Sequence, residues 1–488
     1  MMTQKHGDRR YKLIVALTIA AVPLSADADE LLVGAASVSI TPSQPVALAG
    51  QIHTRISRDI ESQVTATALA LETRRGDKVL DQAIVVSCDL VAIRTGIQEQ
   101  FRQRVKASLP GFDVNKLFLC ATHTHTAPVT VEGVYVTAVD GVMQPTEYVA
   151  FLLERLEDAV VRAWKNRRPG GVGWGLGHAL VAHNRRAVYA DGKAVMYGGT
   201  DGPSFRAIEG YEDHYVDVLF FFNAERNPIA TVVNVACPSQ EVEGRSAINA
   251  DFWHETRLAL RQRFGKELHV LAWVGAAGDQ SPRPMWYKRA EQRMRTLRGL
   301  TRLEEIARRI DLAVAEAYEG AKEDIRFDLP LVHRVENLRL PVRMVTEKEF
   351  AEAKAFCDSV AGKKDLDPQG CLRRMWSRQT VDRYARQETE RYYTMELHAI
   401  RLGDVAVCTN PFEMYTEYGL RIKARSKAVQ TFVVQLAGDC GGYLPTEEAV
   451  RGGHYSAEVF SNQVGPEGGN VLVDKTVDAI NSMWEGSK

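Results

Sequence analysis

The segment LFLCATHTHTAP, residues 117–128, carries the pattern from which the fold is predicted. Its first five residues are apolar, and a polar stretch with two histidines follows at once. A short apolar run with a polar boundary is typical of a buried β-strand. The HxH pair after this strand places His123 and His125 near one edge of a sheet. Because neutral imidazole is a standard zinc ligand, the pair predicts either a metal site or a hydrogen-bonded pair in a loop.

The stretch GAAGDQSP, residues 275–282, follows the apolar run Leu268–Val274 in the same way. Its small residues let the backbone approach a ligand closely, and Asp279 and Ser281 would project at the end of a strand. Ser281 could act as a nucleophile or as a hydrogen-bond donor. The alternative is a tight turn, since Asp, Gly, Ser and Pro are all turn residues.

Two further strand ends carry polar groups near the C-terminus. Glu413 follows the run Val405–Cys408 and could be a metal ligand, a base, or an early-helix residue favoured by the dipole. Tyr443 lies in the glycine-containing stretch GGYLPT, residues 441–446. Active sites of open α/β sheets form at such strand ends, so these segments predict one shared site.

Apolar β-branched runs alternate with amphipathic helical patterns along the chain. Strands are predicted at Ala83–Val91, Leu117–Ala121, Val216–Phe222, Ala230–Ala236, Leu268–Val274 and Val405–Cys408. Helices are predicted at Gly96–Leu109, Tyr148–Trp164, Asp251–Phe264 and Leu303–Ala321. This order indicates an α/β fold with mixed β-sheets flanked by helices, in a single large domain over residues 29–488.

Residues 1–28 predict a cleavable secretory signal peptide. Basic residues from Lys5 to Lys12 precede the apolar run Leu13–Leu24, and Ala26–Ala28 gives a small-x-small cleavage pattern. The run is shorter than the roughly 20 residues that span a bilayer. We therefore expect a secreted or periplasmic protein whose mature chain has no transmembrane segment.

Charge and cysteine content narrow the class of partner. The formal net charge is −1, so no basic field is available to bind nucleic acid. Export permits disulfides among the seven cysteines, and Cys357 and Cys371 bracket a polar segment that makes them the best local pair. The odd number leaves at least one thiol free or bound to another group.

Taken together, these segments resemble the neutral (non-lysosomal) ceramidase family. The matching stretches occur in family order across nearly the whole mature chain: GAASVSITP at 34–42, ATHTHTAP at 121–128, NRR at 184–186, GDQSP at 278–282, PFE at 411–413 and the tyrosine motif within 438–465. The resemblance implies a neutral-ceramidase-like catalytic domain. It implies a metal-dependent hydrolase that acts on the amide bond of an N-acyl compound, with one Zn²⁺ per chain.

The family's zinc ion is held by two histidines, a glutamate and a tyrosine. The resemblance implies His123, Glu413 and Tyr443 as three of these ligands, and Cys237 occupies the place of the second histidine. Thiolate also binds zinc, so Cys237 is expected to complete the site. If Cys237 is instead a core thiol, the metal is lost or a nearby histidine replaces it, the candidates being His183, His214 and His254.

The resemblance also implies the catalytic groups. Asp279 and Ser281 would be catalytic, His125 would transfer a proton or orient the substrate, and Arg185 would hold a substrate oxygen. Whether Ser281 or a metal-bound water attacks stays open.

Two alternatives follow from departures from the family pattern. From the resemblance we expect no counterpart of the family's additional C-terminal domain. Residues 283–309 are rich in arginine, either as a solvated helix face or as a basic wall beside the site. These features would suit a glycan hydrolase or uronate lyase on the same fold. Cys237 would suit a non-catalytic secreted binding protein. The expected partner is therefore a small-molecule, lipid or glycan substrate.

Overall fold

The computed structural model describes residues 29–135, 137, 139–363 and 366–485. The predicted signal peptide, residues 1–28, lies outside the described residues. The fold class predicted from the sequence is confirmed, because mixed β-sheets are flanked by helices in one large α/β unit.

The elements are numbered in chain order. The strands are β1 Glu30–Ser39, β2 Val46–Leu48, β3 Arg55–Ser57, β4 Thr65–Arg75, β5 Lys78–Cys88, β6 Leu117–Ala121, β7 Arg168–His178, β8 His183–Asn184, β9 Arg186–Tyr189, β10 Ala194–Met196, β11 Phe205–Ile208, β12 Tyr215–Asn223, β13 Pro228–Val235, β14 His269–Val274, β15 Gln280–Ser281, β16 Leu331–Pro341, β17 Tyr392–Leu402, β18 Val405–Thr409, β19 Glu413–Met414, β20 Gln430–Val434 and β21 Tyr443–Leu444. The helices are α1 Ile97–Ser108, α2 Pro145–Lys165, α3 Phe252–Phe264, α4 Lys288–Arg298, α5 Arg302–Ala321, α6 Glu347–Ser359, α7 Pro368–Arg386, α8 Thr416–Arg425, α9 Glu447–Gly452 and α10 Pro466–Ser482.

Two sheets form the centre of the molecule. The larger has the strand order β14-β13-β12-β7-β1-β4-β5-β6, and the smaller has the order β16-β17-β18-β20. Most neighbouring strands are antiparallel, but β5–β6, β13–β14 and β18–β20 are parallel. In the larger sheet five successive antiparallel pairings separate β5–β6 from β13–β14, so these two parallel pairs run in opposite directions along the sheet.

The sheets pack face to face and helices cover their outer faces. Phe118, Leu219 and Trp273 of the larger sheet share one buried core with Ile400 and Phe432 of the smaller. Helices α1, α2, α3 and α5 pack on the outer face of the larger sheet, and α8 and α10 on that of the smaller. Side chains of a strand alternate between faces, so this α-β-β-α layering buries both faces of the central strands.

Strand β7 shows how closely a helix can approach the larger sheet. A Cβ at Gly173, Gly175 or Gly177 would lie 2.1–2.7 Å from a backbone oxygen of α5; at Gly175 it would lie 2.4 Å from the oxygen of Ala317. The alternate glycines of β7 therefore form a smooth surface on which the alanine face of α5 lies.

The structure corrects one expectation about cysteines. The expected pairing of Cys357 with Cys371 is wrong, because all seven cysteines, which lie within the described residues, carry free thiols. Cys357 lies on α6 and Cys371 on α7, where the Cys371 thiol donates to the carbonyl oxygen of Leu366 (3.6 Å). Among the described residues, no helix combines the length and the apolar composition that crossing a bilayer requires.

Candidate active site

A cavity of about 590 Å³ lies where several strands end. Five of the eight predicted site residues line it: His123, His125, Arg185, Glu413 and Tyr443. They come from segments that are hundreds of residues apart in the chain, and the fold brings them to one place.

Strand pairing fixes the relative positions of Glu413 and Tyr443. The short strands β19 and β21 are parallel, with Glu413 directly opposite Tyr443. Gly278 packs against the same strand: its N–H donates to the carbonyl oxygen of Met414 (2.8 Å), and a Cβ here would lie 2.1 Å from the backbone oxygen of Glu413. The glycine of the GDQSP stretch is thus what allows the Glu413 strand to approach.

Strained backbone is concentrated around this cavity. Seven non-glycine residues of the described chain have positive φ, and four of them line the cavity: His123 (63°), Tyr197 (57°), Leu436 (55°) and His454 (75°). Each such conformation costs on the order of 1–3 kcal/mol and persists only where the surroundings enforce it, typically at functional sites. The clustering supports a functional role for this cavity.

His123 and Glu413 form an ordered pair. Nδ1 of His123 lies 2.6 Å from the carbonyl oxygen of Val91, which can only accept, so the neutral ring carries its proton on Nδ1 and a lone pair on Nε2. Nε2 is 3.4 Å from Oε2 of Glu413. Burial tends to raise the pKa of Glu413, but His123, when its ring is protonated, and Arg185 outweigh it and lower the pKa to about 2. Glu413 is therefore an ionised carboxylate.

His125 stands beside this pair. Its Nε2 lies 3.2 Å from Nε2 of His123 and 2.9 Å from the amide nitrogen of Gln240. On the other side of the ring, Nδ1 is 3.2 Å from Oε2 of Glu243. Burial lowers the pKa of His125, which favours the neutral imidazole.

Arg185 is almost fully buried, with 2% of its surface exposed, and is held from several directions. Nη1 donates to the Tyr197 hydroxyl (2.9 Å) and to Oε1 of Gln240 (3.0 Å). Nη2 donates to the carbonyl oxygen of Gly278 (2.9 Å) and to the Tyr443 hydroxyl (3.4 Å). Its Nε–H is buried and has no partner among the described residues.

The donors around the cavity fit a zinc ion in part. His123, Glu413 and Tyr443 offer one nitrogen and two oxygens as ligands. The Nε2 atoms of His123 and His125 face each other beside the Glu413 carboxylate, an arrangement that a bound cation would stabilise. No three His, Cys, Asp or Glu side chains of the described chain already converge on a metal position. The third donor beside His123 and Glu413 is the phenol of Tyr443, and the predicted fourth donor, the Cys237 thiol, does not lie with them.

Cys237 lies in the core rather than at the cavity. Its thiol is fully buried among residues of β12, β13 and α3, and Sγ is 3.5 Å from the carbonyl oxygen of Val181. Burial raises the pKa of the thiol well above its ordinary value, so it stays protonated. The geometry therefore fits the core-thiol alternative and gives no support to Cys237 as a zinc ligand.

The three alternative histidines are not at the cavity either. His183 and His214 flank Glu212, with nitrogen–oxygen distances of 3.8 and 3.2 Å. His254 lies on α3 and lines a separate cleft. None of them replaces the missing donor in this arrangement.

Asp279 and Ser281 are buried beneath the cavity and do not line it. Oδ2 of Asp279 accepts from the Asn184 amide (2.9 Å), and Oδ1 accepts from the backbone N–H and hydroxyl of Thr416 (2.9 and 2.7 Å). Oγ of Ser281 accepts from the N–H of Arg283 (3.2 Å). Their catalytic roles stay predictions; the contacts shown support the loop that carries Arg185.

The arginine-rich segment is largely paired with acidic side chains. Arg298, Arg308 and Arg309 surround the buried carboxylate of Glu305. Only Arg283 extends towards the cavity, where Nη2 is 2.9 Å from Oε1 of Glu243. The segment forms an ion network along α4 and α5 rather than a continuous basic wall.

Several cavity residues were not predicted as site residues from the sequence: Tyr197, Gln240, Glu243, His454 and Tyr455. His454 and Tyr455 lie within the matching stretch 438–465, and a second signal concerned Gln240 and Glu243. Both fall in the polar stretch that follows Cys237, where the resemblance already located part of the site.

Comparison with known proteins identifies the fold. No protein-family model matches the chain, and no curated protein matches it. Solved structures do match, among them a ceramidase complexed with C2 (16% identity, TM-score 0.67, 93% of this chain and 75% of the other) and the neutral ceramidase from Pseudomonas aeruginosa (17% identity, TM-score 0.67, 94% and 75%). The chain therefore has the fold of the neutral ceramidases, as its motifs predicted.

Proposed function

We propose that this chain is a zinc-dependent hydrolase that cleaves the amide bond of an N-acylated compound. The observation that carries the proposal is the convergence of His123, His125, Arg185, Glu413 and Tyr443 in one cavity of a ceramidase fold. A shared fold does not establish a shared reaction, so the proposal depends on what these side chains offer.

His123, Glu413 and Tyr443 are the residues that would hold the zinc ion. When bound, zinc polarises a carbonyl oxygen or lowers the pKa of a water molecule towards roughly 7. The hydrogen bond from His123 to Val91 is the kind of contact that fixes a ligating imidazole, and Glu413 is ionised at any ordinary pH.

Arg185 and His125 would act on the substrate directly. Arg185 lines the cavity, and its guanidinium would donate to the substrate oxygen as negative charge develops there. His125 would accept a proton from the attacking oxygen and return it to the leaving nitrogen. Because Ser281 is fully buried outside the cavity, the geometry favours water as the nucleophile.

We further propose, from the pattern in residues 1–28, that the protein is exported. An N-acyl lipid is the first substrate class to test, since both matching structures are named as ceramidases. A glycan substrate is the alternative to be tested alongside.

The test is release of free amine from an N-acyl sphingoid base, an N-acyl amino acid and an N-acyl hexosamine, with acidic oligosaccharides in parallel. We expect at least one N-acyl compound to be hydrolysed, and Glu413→Gln to lower the rate at least about 100-fold. The matched control is Glu417→Gln, whose carboxylate on α8 pairs only loosely with Arg421 (3.9 Å). Cleavage of oligosaccharides alone would support the glycan alternative, and no turnover would support a binding protein.

A further inference from the structure

The arginine and glutamate side chains that line the cavity differ in how fully they are paired. Three of them are held by the partners described above: Arg185, Glu243 and Glu413. The fourth, Arg94, is half-buried in the cavity wall, and its hydrogen bond runs from Nη1 to Sγ of Cys440 at 3.3 Å. A thiol is only a weak acceptor. None of the described carboxylates forms an ion pair with Arg94.

The carboxylate that precedes Cys440 in the chain is already occupied. Oδ1 of Asp439 accepts from the hydroxyl of Thr95 (2.6 Å) and from the backbone N–H of Cys440 (2.8 Å). Its Oδ2 accepts from the hydroxyl of Tyr393 (3.4 Å). The positive charge of Arg94 is therefore left without a negative partner among the described residues.

The backbone around Arg94 connects it to the candidate active site. Arg94 lies in the loop between β5 and α1, where its carbonyl oxygen accepts from the N–H of Ile97 (3.1 Å). Three residues earlier, the carbonyl oxygen of Val91 holds Nδ1 of His123 at 2.6 Å. The loop that fixes this proposed zinc ligand therefore also carries Arg94.

Arg94 and Arg185 contact the same short stretch of chain. Arg94 donates to Cys440, and Arg185 donates to Tyr443, three residues further on. Three residues of chain separate their Cα atoms by at most about 11 Å. A substrate whose amide oxygen meets Arg185 therefore reaches Arg94 with a second polar group.

Tyr135 adds a second donor to this part of the wall. Its hydroxyl accepts from the N–H of Gly50 (3.0 Å), so the hydroxyl proton remains to be donated. Burial raises the pKa of Tyr135, and the Gly50 contact and the positive charge of Arg94 partly offset that rise, as expected for neighbouring side chains. Both Arg94 and Tyr135 line the cavity. A guanidinium with a hydroxyl beside it offers charge-assisted hydrogen bonds to a carboxylate.

We infer that Arg94 binds a carboxylate of the substrate and makes the enzyme prefer anionic compounds to neutral ones. The inference rests on the proposed function, since the amide bond is the one cleaved beside Arg185. The carboxylate has two possible sources: the amino-acid part of an N-acyl amino acid, or the uronic acid of an acidic glycan. Both present the same group to Arg94, and the experiments distinguish them.

The kinetic test uses N-octanoylglycine and N-octanoylglycinamide, which differ only in a carboxylate and a carboxamide. We expect the wild type to hydrolyse the acid with at least about a tenfold higher kcat/KM. Arg94→Gln should lower kcat/KM for the acid about 10- to 100-fold, chiefly by raising KM, so that the preference disappears. Arg94→Lys keeps the charge but loses the planar fork, and should retain part of the preference.

The matched control is Arg104→Gln. Arg104 lies on α1 outside the cavity, with Nη1 3.8 Å from Oε2 of Glu157. The control should keep the preference of the wild type for the acid. Equal kcat/KM for the acid and the amide in the wild type, or a preference that Arg94→Gln leaves intact, would overturn the inference. The wild-type comparison decides even if Arg94→Gln does not fold.

Calorimetry measures binding without turnover and identifies the source of the carboxylate. The same acid and amide are titrated into wild type and Arg94→Gln, beside methyl glucuronide and methyl glucoside. Tighter binding of an acid, lost in Arg94→Gln, supports the inference, and the pair that shows it names the source. Equal binding within both pairs would contradict it. If no N-acyl compound is hydrolysed, the proposed function fails, while these titrations still decide whether Arg94 binds a carboxylate.

Discussion

Replacing Gly278 by alanine should damage the candidate site by a calculable displacement. The added Cβ would lie 2.1 Å from the backbone oxygen of Glu413, and real Cβ contacts essentially never fall below 3.0 Å. The contact has to open from 2.1 to at least 3.0 Å, a retreat of about 0.9 Å. Since Glu413 pairs in register with Tyr443, the retreat moves a proposed ligand away from its neighbours.

A displacement of about 1 Å at a catalytic group can lower a rate about 100-fold. We therefore expect Gly278→Ala to lower kcat/KM for the N-acyl substrate by about that factor. Overpacking of this kind costs about 1–3 kcal/mol, so the free energy of unfolding should fall without loss of the fold. Amine release gives the rate, and urea unfolding gives the free energy.

Gly275→Ala is the matched control on the same stretch. A Cβ there would meet Cα of Ala236 at 3.2 Å, which a shift of a few tenths of an ångström relieves. We expect its activity to stay within about threefold of the wild type. If Gly278→Ala kept full activity with a similar loss of stability, the position of Glu413 would not matter, and the reasoning would be refuted.

Three further predictions concern the rest of the molecule. Gly175→Ala should lower the free energy of unfolding by about 1–3 kcal/mol, because the added Cβ collides with the backbone of α5. An unchanged midpoint of urea unfolding would contradict the packing described. Burial tends to raise the pKa of Glu396, but contacts from His398 and Arg102 outweigh it and lower the pKa from 4.5 to about 2. The ionised carboxylate therefore stabilises the fold fully above about pH 4.5, and this stabilisation is lost as the pH falls towards 2. The pKa shift corresponds to a contribution of about 3 kcal/mol to the free energy of unfolding, which partial exposure of Glu396 roughly halves. In Glu396→Gln the free energy of unfolding should therefore fall less steeply as the pH is lowered, by about that half. An unchanged slope would argue against the ion pair. The exposed, free thiol of Cys371 should react with an alkylating reagent in native protein without reductant, and a blocked thiol would point to pairing instead.

The strand-end motifs could be recognised from the sequence because they are local. A buried strand, then small residues, then a polar group can be seen within about ten residues, and β6 ends at Ala121 as predicted. Two such stretches, those with His123 and Glu413, do meet at one cavity. The third, GDQSP, meets it through Gly278 and its contacts to Arg185 and the Glu413 strand.

Other features depend on partners that are distant in the sequence. Strand β7, with the sequence RPGGVGWGLGH, has the composition of a loop, and its glycines are explained only by the helix α5 that lies on them. The position of Cys237 in the family pattern suggested a ligand, but packing decides where a side chain just beyond a strand end points. The contacts of Gln240 and Glu243 to His125 likewise follow from tertiary structure, to which no spacing rule applies.

The measurement that tests the central claim most directly is the zinc content of protein purified without added metal. The wild type, Cys237→Ala and Glu413→Ala are compared by elemental analysis, after circular dichroism has shown that each is folded. We predict about one zinc per chain in the wild type and in Cys237→Ala, and its loss in Glu413→Ala. Zinc lost with Cys237 but retained without Glu413, or no zinc in the folded wild type, would contradict the site described for this cavity.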